Sequence, residues 1–275
     1  MIKIGVVGGG FVGGAVARGF MEHGEVRVFD TMPERRTHSI EEVLDCEFVF
    51  VCLPTPMRED GACSLTLLFE FFEEAKLRLK DDDRKPLFVI KSTVPVGTTA
   101  AIADVTALQV IHSPEFLTAR CAHTDFQTPA RNIVGIPKGR WWGKKLIGLY
   151  QRRFPGVAVQ AMTSDESELV KYVCNSFFAV KVAYFNEIYR LAGEVGADFE
   201  RVRAGVLSDG RIAHAHTQVP CGGQAGFGGS CLPKDLNALM HTMRSLGIEP
   251  LVTAGAWELN KQVRTHQDWQ VAGKD

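Results

Sequence analysis

The sequence is short of several features that would direct it to a membrane, a nucleic acid or an oxidising compartment. No apolar run approaches the roughly 20 residues that a bilayer-spanning helix needs. Charge of either sign is not in excess: 31 Lys and Arg stand against 32 Asp and Glu, a formal net charge of −1. That balance gives no electrostatic drive toward nucleic acid or an anionic membrane. There is no Cys-x-x-Cys pair. The seven cysteines, at 46, 52, 63, 121, 174, 221 and 231, are odd in number and irregular in spacing. They argue against a disulfide framework and against a metal site, and imply reduced thiols in a cytoplasmic protein. No internal repeat or low-complexity tract is present. The N-terminus, Met1–Val7, is apolar but runs at once into glycines, and reads as a first strand and not a signal peptide.

What is present is an alternation. Short apolar runs, often β-branched, occur at Ile2–Val7, Val26–Asp30, Phe48–Leu53, Leu87–Ser92, Gln109–His112, Asn132–Ile136 and Val157–Ala161. Near-continuous apolar runs suit strands covered on both faces, as in a parallel sheet. Helical patterns at Val12–Glu22, Leu65–Leu79 and Trp142–Arg153 lie between several of them. This is the rhythm of an α/β, Rossmann-like doubly wound parallel sheet. It stops near Met162. Thr163 and Glu166 then form a capping-box pattern, and a long helix is predicted to about Ala192. Its apolar stripe is Val170, Val173, Cys174 and Phe177, continued by Tyr184, Ile188 and Leu191. Further helices are predicted at Asp198–Leu207, Pro233–Leu246 and Pro250–Arg264. The sequence thus divides into a dinucleotide-binding domain over 1–162 and an all-helical domain over 163–275.

Gly8-Gly9-Gly10-Phe11-Val12-Gly13 fits G-x-G-x-x-G between a strand and a helix. Gly8 allows the tight turn, Gly10 lets the backbone approach a pyrophosphate, and Gly13 lets helix and strand pack closely. Phe11 and Val12 open the helix, whose start offers N–H groups to phosphate. Asp30 ends the second strand at the offset of a ribose-binding acid, which favours NAD over NADP; Arg35 nearby is a further cofactor candidate.

A second glycine-rich segment, Gly226–Asp235, carries Cys231. Phe227-Gly228-Gly229-Ser230 reads as a flexible loop of close approach. Pro233 suits the first turn of a helix, so Cys231 falls at or just before a helix start. The positive end of the helix and the adjacent Lys234 favour a reactive thiol there, and Cys231 is a candidate covalent nucleophile. A small buried residue at a helix start is the alternative reading, and it is the one given to the other six cysteines.

With those residues in hand, the sequence resembles the nucleotide-sugar dehydrogenases, the family of UDP-glucose and GDP-mannose dehydrogenases. Gly226–Asp235 is similar to its active-site cysteine motif. Lys91–Thr98, Ser113–Leu117, and Lys171–Asn175 running on to Val182–Glu187 match in the same order, as does Pro54-Thr55-Pro56. Asp209–Ile212 is a looser match to a segment with a substrate-binding arginine, here Arg211.

The resemblance implies NAD-dependent oxidation of the C6 alcohol of a UDP- or GDP-sugar to a carboxylate by two hydride transfers. Cys231 would form a thiohemiacetal and then a thioester. Lys171 and Asn175, four apart on one helix face, would stabilise oxyanions. Asp235 and Thr93 would orient the hydrolytic water, and Glu115 would assist proton transfer. Phe116, Leu117, Phe227, Gly228 and Arg211 would contact substrate; Pro54, Thr55, Thr93 and Lys234 would contact NAD. Taken singly, Lys171 and Asn175 also read as ordinary helix-surface residues, Glu115 as a loop carboxylate and Thr93 as a strand-end cap. The family further implies a homodimer paired through its central helices.

Two departures accompany the match. The family carries a second glutamate after Pro-Glu-Phe-Leu that contacts NAD, and here Ala119 takes that position. Its typical chain also continues into a third, nucleotide-holding domain. This sequence ends at Asp275, soon after Val263–Trp269, which resembles the end of the central helical region. A compact form is therefore expected, whose substrate is held weakly, is closed in by a partner chain, or is smaller. Two other functions fit the same plan: a single-step hydroxyacid-type dehydrogenase and a non-catalytic NAD-binding scaffold.

Overall fold

The apolar runs become one seven-stranded sheet in the computed structural model, which describes residues 1–80, 85–118 and 121–270. The strands are β1 (Lys3–Val7), β2 (Glu25–Phe29), β3 (Phe48–Val51), β4 (Leu87–Ile90), β5 (Gln109–His112), β6 (Asn132–Ile136) and β7 (Val159–Thr163). Their spatial order is β2-β1-β3-β4-β5-β6-β7. The order reverses between β1 and β3, which puts the ends of these two strands at the place where open α/β sheets bind ligands. A wholly parallel sheet was the expectation, and it needs one correction. β6 pairs antiparallel to β5, through His112 and Gly135. The connection between them holds only the short helix α5 (Ala122–Gln127), and an antiparallel neighbour requires no crossover.

Alternation along each strand builds a core on both faces of the sheet. Ile4 and Val6 of β1, Phe48 and Phe50 of β3, and Leu87 and Val89 of β4 point to one face. There they pack under α1 (Phe11–Phe20) and α6 (Gly143–Arg153), whose Phe20, Leu149 and Tyr150 fill the layer. Val7, Val49, Val51, Phe88 and Ile90 point to the other, under α2 (Ile40–Leu44), α3 (Thr66–Arg78) and α4 (Thr98–Thr106). Each such Val, Ile or Phe contributes about 1.5–3 kcal/mol by leaving water. Sequence patterning missed α2, α4 and α5. All are short, and α5 carries one buried apolar residue, Phe126, which leaves no stripe to read.

The long helix α7 spans Ser164–Glu194, 31 residues. Its predicted capping box is present: the Thr163 N–H donates to Glu166 Oε2 at 2.7 Å and the Glu166 N–H to Thr163 Oγ1 at 3.3 Å. The chain divides into two units, Met1–Thr55 with Leu65–Lys171, and Pro56–Ser64 with Tyr172–Asp275. α7 starts in the first and continues through the second. The second unit adds α8 (Phe199–Leu207), α9 (Leu232–Ser245) and α10 (Leu251–Val263). Its core holds Ala179, Ala183, Phe227, Leu236, Met240 and Leu259. A small hairpin belongs to it too: Met57 bridges Cys63, and the Arg58 N–H donates to Ala62 O at 2.8 Å. The apolar stripe predicted for α7 is covered only in part: Ile188 packs on a core of Phe185, Ala192, Phe199 and Val219. Val173, Phe177, Tyr184 and Leu191 are each at least half exposed. Among the described residues, no helix is long and apolar enough to cross a membrane. Ala119 lies outside the described residues.

Candidate functional site

In the first unit the residues singled out lie at the C-terminal ends of β1, β3, β4 and β5. Gly8 leaves β1 with φ +88°, and a Cβ there would lie 2.7 Å from Cys52 O. A Cβ at Gly13 would run into Gly8 O, so backbone passes directly over backbone. Gly10 stands at the start of α1 with no side-chain cap, and nothing but the tip of Arg35 lies near the space a Cβ would take. This is a bare helix start in a cradle that side chains would fill, and it suits a pyrophosphate. Phe11 is half exposed beside it, and Val12 is partly buried against the core. Asp30 holds the turn together: Oδ2 accepts from Gly9 N at 2.6 Å and Oδ1 from Met32 N at 2.8 Å.

The ends of the next strands are tied to one another. After β3, Pro54 is exposed, and the buried Thr55 hydroxyl donates to Thr93 O at 2.9 Å. Ser92 Oγ donates to Leu53 O at 2.6 Å. Lys91 ends β4 with its ammonium buried, donating to Pro114 O at 3.2 Å. Burial lowers Lys91 to about 8, against the pull of Cys52 and Glu115. Lys91 was not singled out from the sequence as a site residue. Its signal was available: a lysine directly after four apolar strand residues must turn its head into protein or leave the sheet.

Lys171, about two turns into α7, donates to Glu115 O at 2.7 Å and to Glu115 Oε1 at 2.9 Å. Both side chains are nearly buried, so neither is the surface residue that its type alone suggests. Glu115 Oε2 also accepts from Leu117 N at 2.6 Å. The Lys171 ammonium lies 5.4 Å from the Phe116 ring centre, and the Arg131 guanidinium lies 4.2 Å from it. Glu115, Phe116, Leu117 and Lys171 are thus one cluster. Below it His112 is fully buried and pushed down to about 3 by loss of water, so it is neutral. Its Nε2 faces Ser92 O at 3.4 Å and therefore carries the proton, leaving Nδ1 to accept from Ser167 Oγ at 2.8 Å.

In the second unit the cluster forms around α9. Cys231 is its N-cap residue, exposed, with Ser230 Oγ 3.7 Å from its sulfur. One turn on, Asp235 is buried; Oδ2 accepts from Asn175 Nδ2 at 2.5 Å, and Oδ1 is paired with Lys234. Burial works against the Lys234 charge, but Asp235, Cys63 and Cys231 outweigh it and raise its pKa. By contrast, burial pushes the Cys46 and Cys52 thiols up to about 11 and about 12, which makes them poor nucleophiles at neutral pH.

The loop before Cys231, read from its glycines as flexible, is tied down by two side-chain amides. Gly226 N donates to Asn186 Oδ1 at 3.0 Å and Phe227 N to Asn260 Oδ1 at 2.7 Å, while Asn260 Nδ2 returns to Phe227 O at 3.0 Å. The Phe227 ring is core, which leaves its backbone and not its ring to face a ligand. Asn186 and Asn260 were missed because nothing local marks an amide that caps a loop from 33 to 40 residues away. Arg211 is exposed and paired with its neighbour Asp209. Among the described residues there is no metal-binding group of three or more His, Cys, Asp or Glu.

Known proteins give these clusters a context. The NAD-binding domain of the UDP-glucose/GDP-mannose dehydrogenase family matches residues 33–152, and the central domain of that family matches 165–262. A UDP-glucose dehydrogenase structure from the archaeon Pyrobaculum islandicum superposes with a TM-score of 0.86 at 30% identity, covering 95% of this chain and 68% of that one. This chain belongs to the UDP-glucose/GDP-mannose dehydrogenase family. The NAD-binding-domain match begins at residue 33, just after the glycine cradle and Asp30, and the cofactor is NAD. The UDP-glucose 6-dehydrogenase of Pseudomonas aeruginosa is 34% identical over 221 residues, 76% of this chain and 47% of that protein. The chain spans about half the length of that relative, and 49–51% of the Rickettsia UDP-glucose 6-dehydrogenases. A 3-hydroxyisobutyrate dehydrogenase structure from Mycobacterium tuberculosis shares the fold, with a TM-score of 0.73 at 19% identity, over 96% of its length. Residues 263–270 lie beyond both family-domain matches.

Proposed function

We propose that this chain oxidises the C6 primary alcohol of a nucleotide sugar, a UDP- or GDP-sugar, to a carboxylate, with Cys231 as covalent acceptor between two oxidations. The observation that carries the reading is Cys231, exposed at the start of α9, one turn before a buried Asp235 that holds Asn175 and Lys234. Gly8, Gly10, Gly13, Asp30 and Arg35 would hold NAD⁺, which when bound would supply the hydride acceptor for each oxidation.

The residues of the chain do the rest. Lys171, fixed by Glu115, and Asn175, fixed by Asp235, sit one helical turn apart in α7. They donate to the sugar O6 as negative charge develops on it. The Cys231 thiolate adds to the aldehyde carbon, forming a C–S bond and placing the carbonyl electron pair on O6. Loss of hydride from that carbon leaves a thioester. Water, oriented by Thr93 and Asp235, attacks it; the C–S bond breaks, the thiolate leaves, and the water proton passes to a carboxylate, Glu115 or Asp235.

The exposed stripe Val173, Phe177, Tyr184 and Leu191 supports a homodimer paired through α7, from which Arg211 reaches a neighbouring site. We place the reaction in the cytoplasm, in keeping with the free cysteines. The test is incubation with NAD⁺ and a panel of UDP- and GDP-sugars. NADH and carboxylate should appear with at least one sugar in a ratio of two to one, by the stoichiometry of the proposed reaction. No NADH from folded, NAD-binding protein with any sugar sinks the reading. Monomers in light scattering would remove the dimer.

A further inference from the structure

The last described turn of the chain grips the cysteine loop next to Asn260, where Arg264 follows it by one turn. Asp268 Oδ2 accepts from Gly229 N at 2.9 Å, two residues before Cys231. Arg264 holds that carboxylate with Nε on Oδ1 at 3.1 Å and Nη2 on Oδ2 at 3.0 Å. Its Nη1 reaches back to Ala225 O at 3.4 Å, so one guanidinium spans the loop. Gly228 lies directly under it, and a Cβ there would run into both Arg264 and Asp268. Trp269 is buried and packs at a tilt against Trp257 with ring centres 5.0 Å apart, and Trp257 meets Phe227 at 6.1 Å. Aromatic packing thus seats the segment, and the ion pair fixes its contact with the loop. Such a bidentate pair has one geometry, which a lone hydrogen bond or a lysine does not impose.

We propose that Arg264 and Asp268 are positioning residues for Cys231: a latch that sets where the thiol stands at the start of α9. This rests on the reading of Cys231 as the covalent acceptor. Asn186 and Asn260 hold the loop at Gly226 and Phe227, where it leaves the core. The latch acts at Gly228 and Gly229, next to the cysteine, where no apolar packing fixes the backbone. A thiol displaced by about 1 Å from its line of attack loses on the order of a hundredfold in rate.

The experiment compares the full-length protein with Asp268→Ala, Asp268→Asn and Gly228→Ala. It reads steady-state kinetics and amide hydrogen exchange of residues 226–231. Asp268→Ala leaves Gly229 N–H without its acceptor, and exchange in 226–231 should quicken about tenfold, the ratio that one lost hydrogen bond gives. The kcat for sugar oxidation should fall about tenfold to a hundredfold, with KM for NAD⁺ unchanged. Asp268→Asn keeps an oxygen for Gly229 N–H and should recover most of kcat. Gly228→Ala pushes the guanidinium off from the loop side and should repeat the Asp268→Ala pattern. Unchanged exchange over 226–231 in Asp268→Ala overturns the latch. So does quickened exchange spread evenly over α9 and α10, which marks a merely structural role. Wild-type protein that oxidises no sugar would instead strike the functional reading, while the exchange data still decide the latch.

Discussion

Gly8–Gly13 and Gly226–Ser230 are both glycine-rich turns that end at the start of a helix, α1 in one case and α9 in the other. In the first, glycine is needed because backbone crosses backbone: Gly8 over Cys52 and Gly13 over Gly8 itself. The result is a helix start with no side-chain cap. In the second, the space above the glycines is filled by side chains, those of Asn260 and Arg264. The loop N–H groups are consumed by Asn186, Asn260 and Asp268. In the function proposed above, one turn offers its helix start to a diffusible anion and the other reserves it for the chain's own thiol. On that proposal the same local composition serves as a binding cradle or a nucleophile mount, and the surrounding side chains decide which.

Removal of the thiol tests the second half of that contrast and should have the largest effect. Cys231→Ser is expected to lower carboxylate formation about a thousandfold or more, with NAD affinity unchanged, as read by mass spectrometry of the sugar product. A variant that still oxidises the alcohol freely would point to one-step chemistry. Next is Gly13→Ala, whose methyl meets the Gly8 carbonyl. NAD affinity by calorimetry should fall about a hundredfold, while alkylation of Cys231 proceeds at the wild-type rate. NAD binding near wild type would show that the first turn is not a cradle.

A third helix start calibrates the pair. The N–H groups at Gly97 and Thr99, which open α4, donate to Glu168 at 2.6 and 2.8 Å. Burial raises Glu168 to about 7, despite the Thr99 and Gly97 hydrogen bonds that favour its charge. The folded protein then binds more protons than the unfolded chain between the ordinary carboxylate pKa and about 7. Stability from this group is complete at acid pH and is lost as pH rises through that window, by up to about 3 kcal/mol. Glu168→Gln should flatten the slope in urea melts from pH 5 to 8; an unaltered slope would place the titration elsewhere. The smallest effect belongs to an ordinary cap. Asp198 Oδ1 accepts from Glu200 N at 2.9 Å and Arg201 N at 3.2 Å to open α8. Asp198→Ala should cost about 1 kcal/mol with no change in NAD affinity, by thermal melts and calorimetry.

The sheet was legible because its inner strands, such as β3 and β4, are buried on both faces. Gln109–His112 and Asn132–Ile136 are read from the sequence with the bounds that the structure gives them. The long helix was legible from Thr163 and Glu166, which cap it as their spacing predicts. Cys231 and Asp235 stood out because a motif is local. Lys91, Asn186, Asn260, Arg264 and Asp268 did not, since each acts on backbone far away in sequence, and no periodicity records such a pairing. The reverse turn of β6 against β5 was hidden for the same reason: strand direction is a property of the connection, not of the run.

The hairpin at Pro56–Ser64 has a bearing on how the protein is made. Its residues lie between β3 and α3, inside the sequence of the first unit, yet they belong with the second. At its tip, a Cβ added at Gly61 would touch the side chain of Asn237. A ribosome emits this hairpin long before the helix that receives it, so it must wait through the synthesis of most of the sheet. Such pairing over long sequence distance is slow to form. It also means that no single cut releases the helical unit whole: a fragment starting at Tyr172 begins its folding without a piece of its own surface.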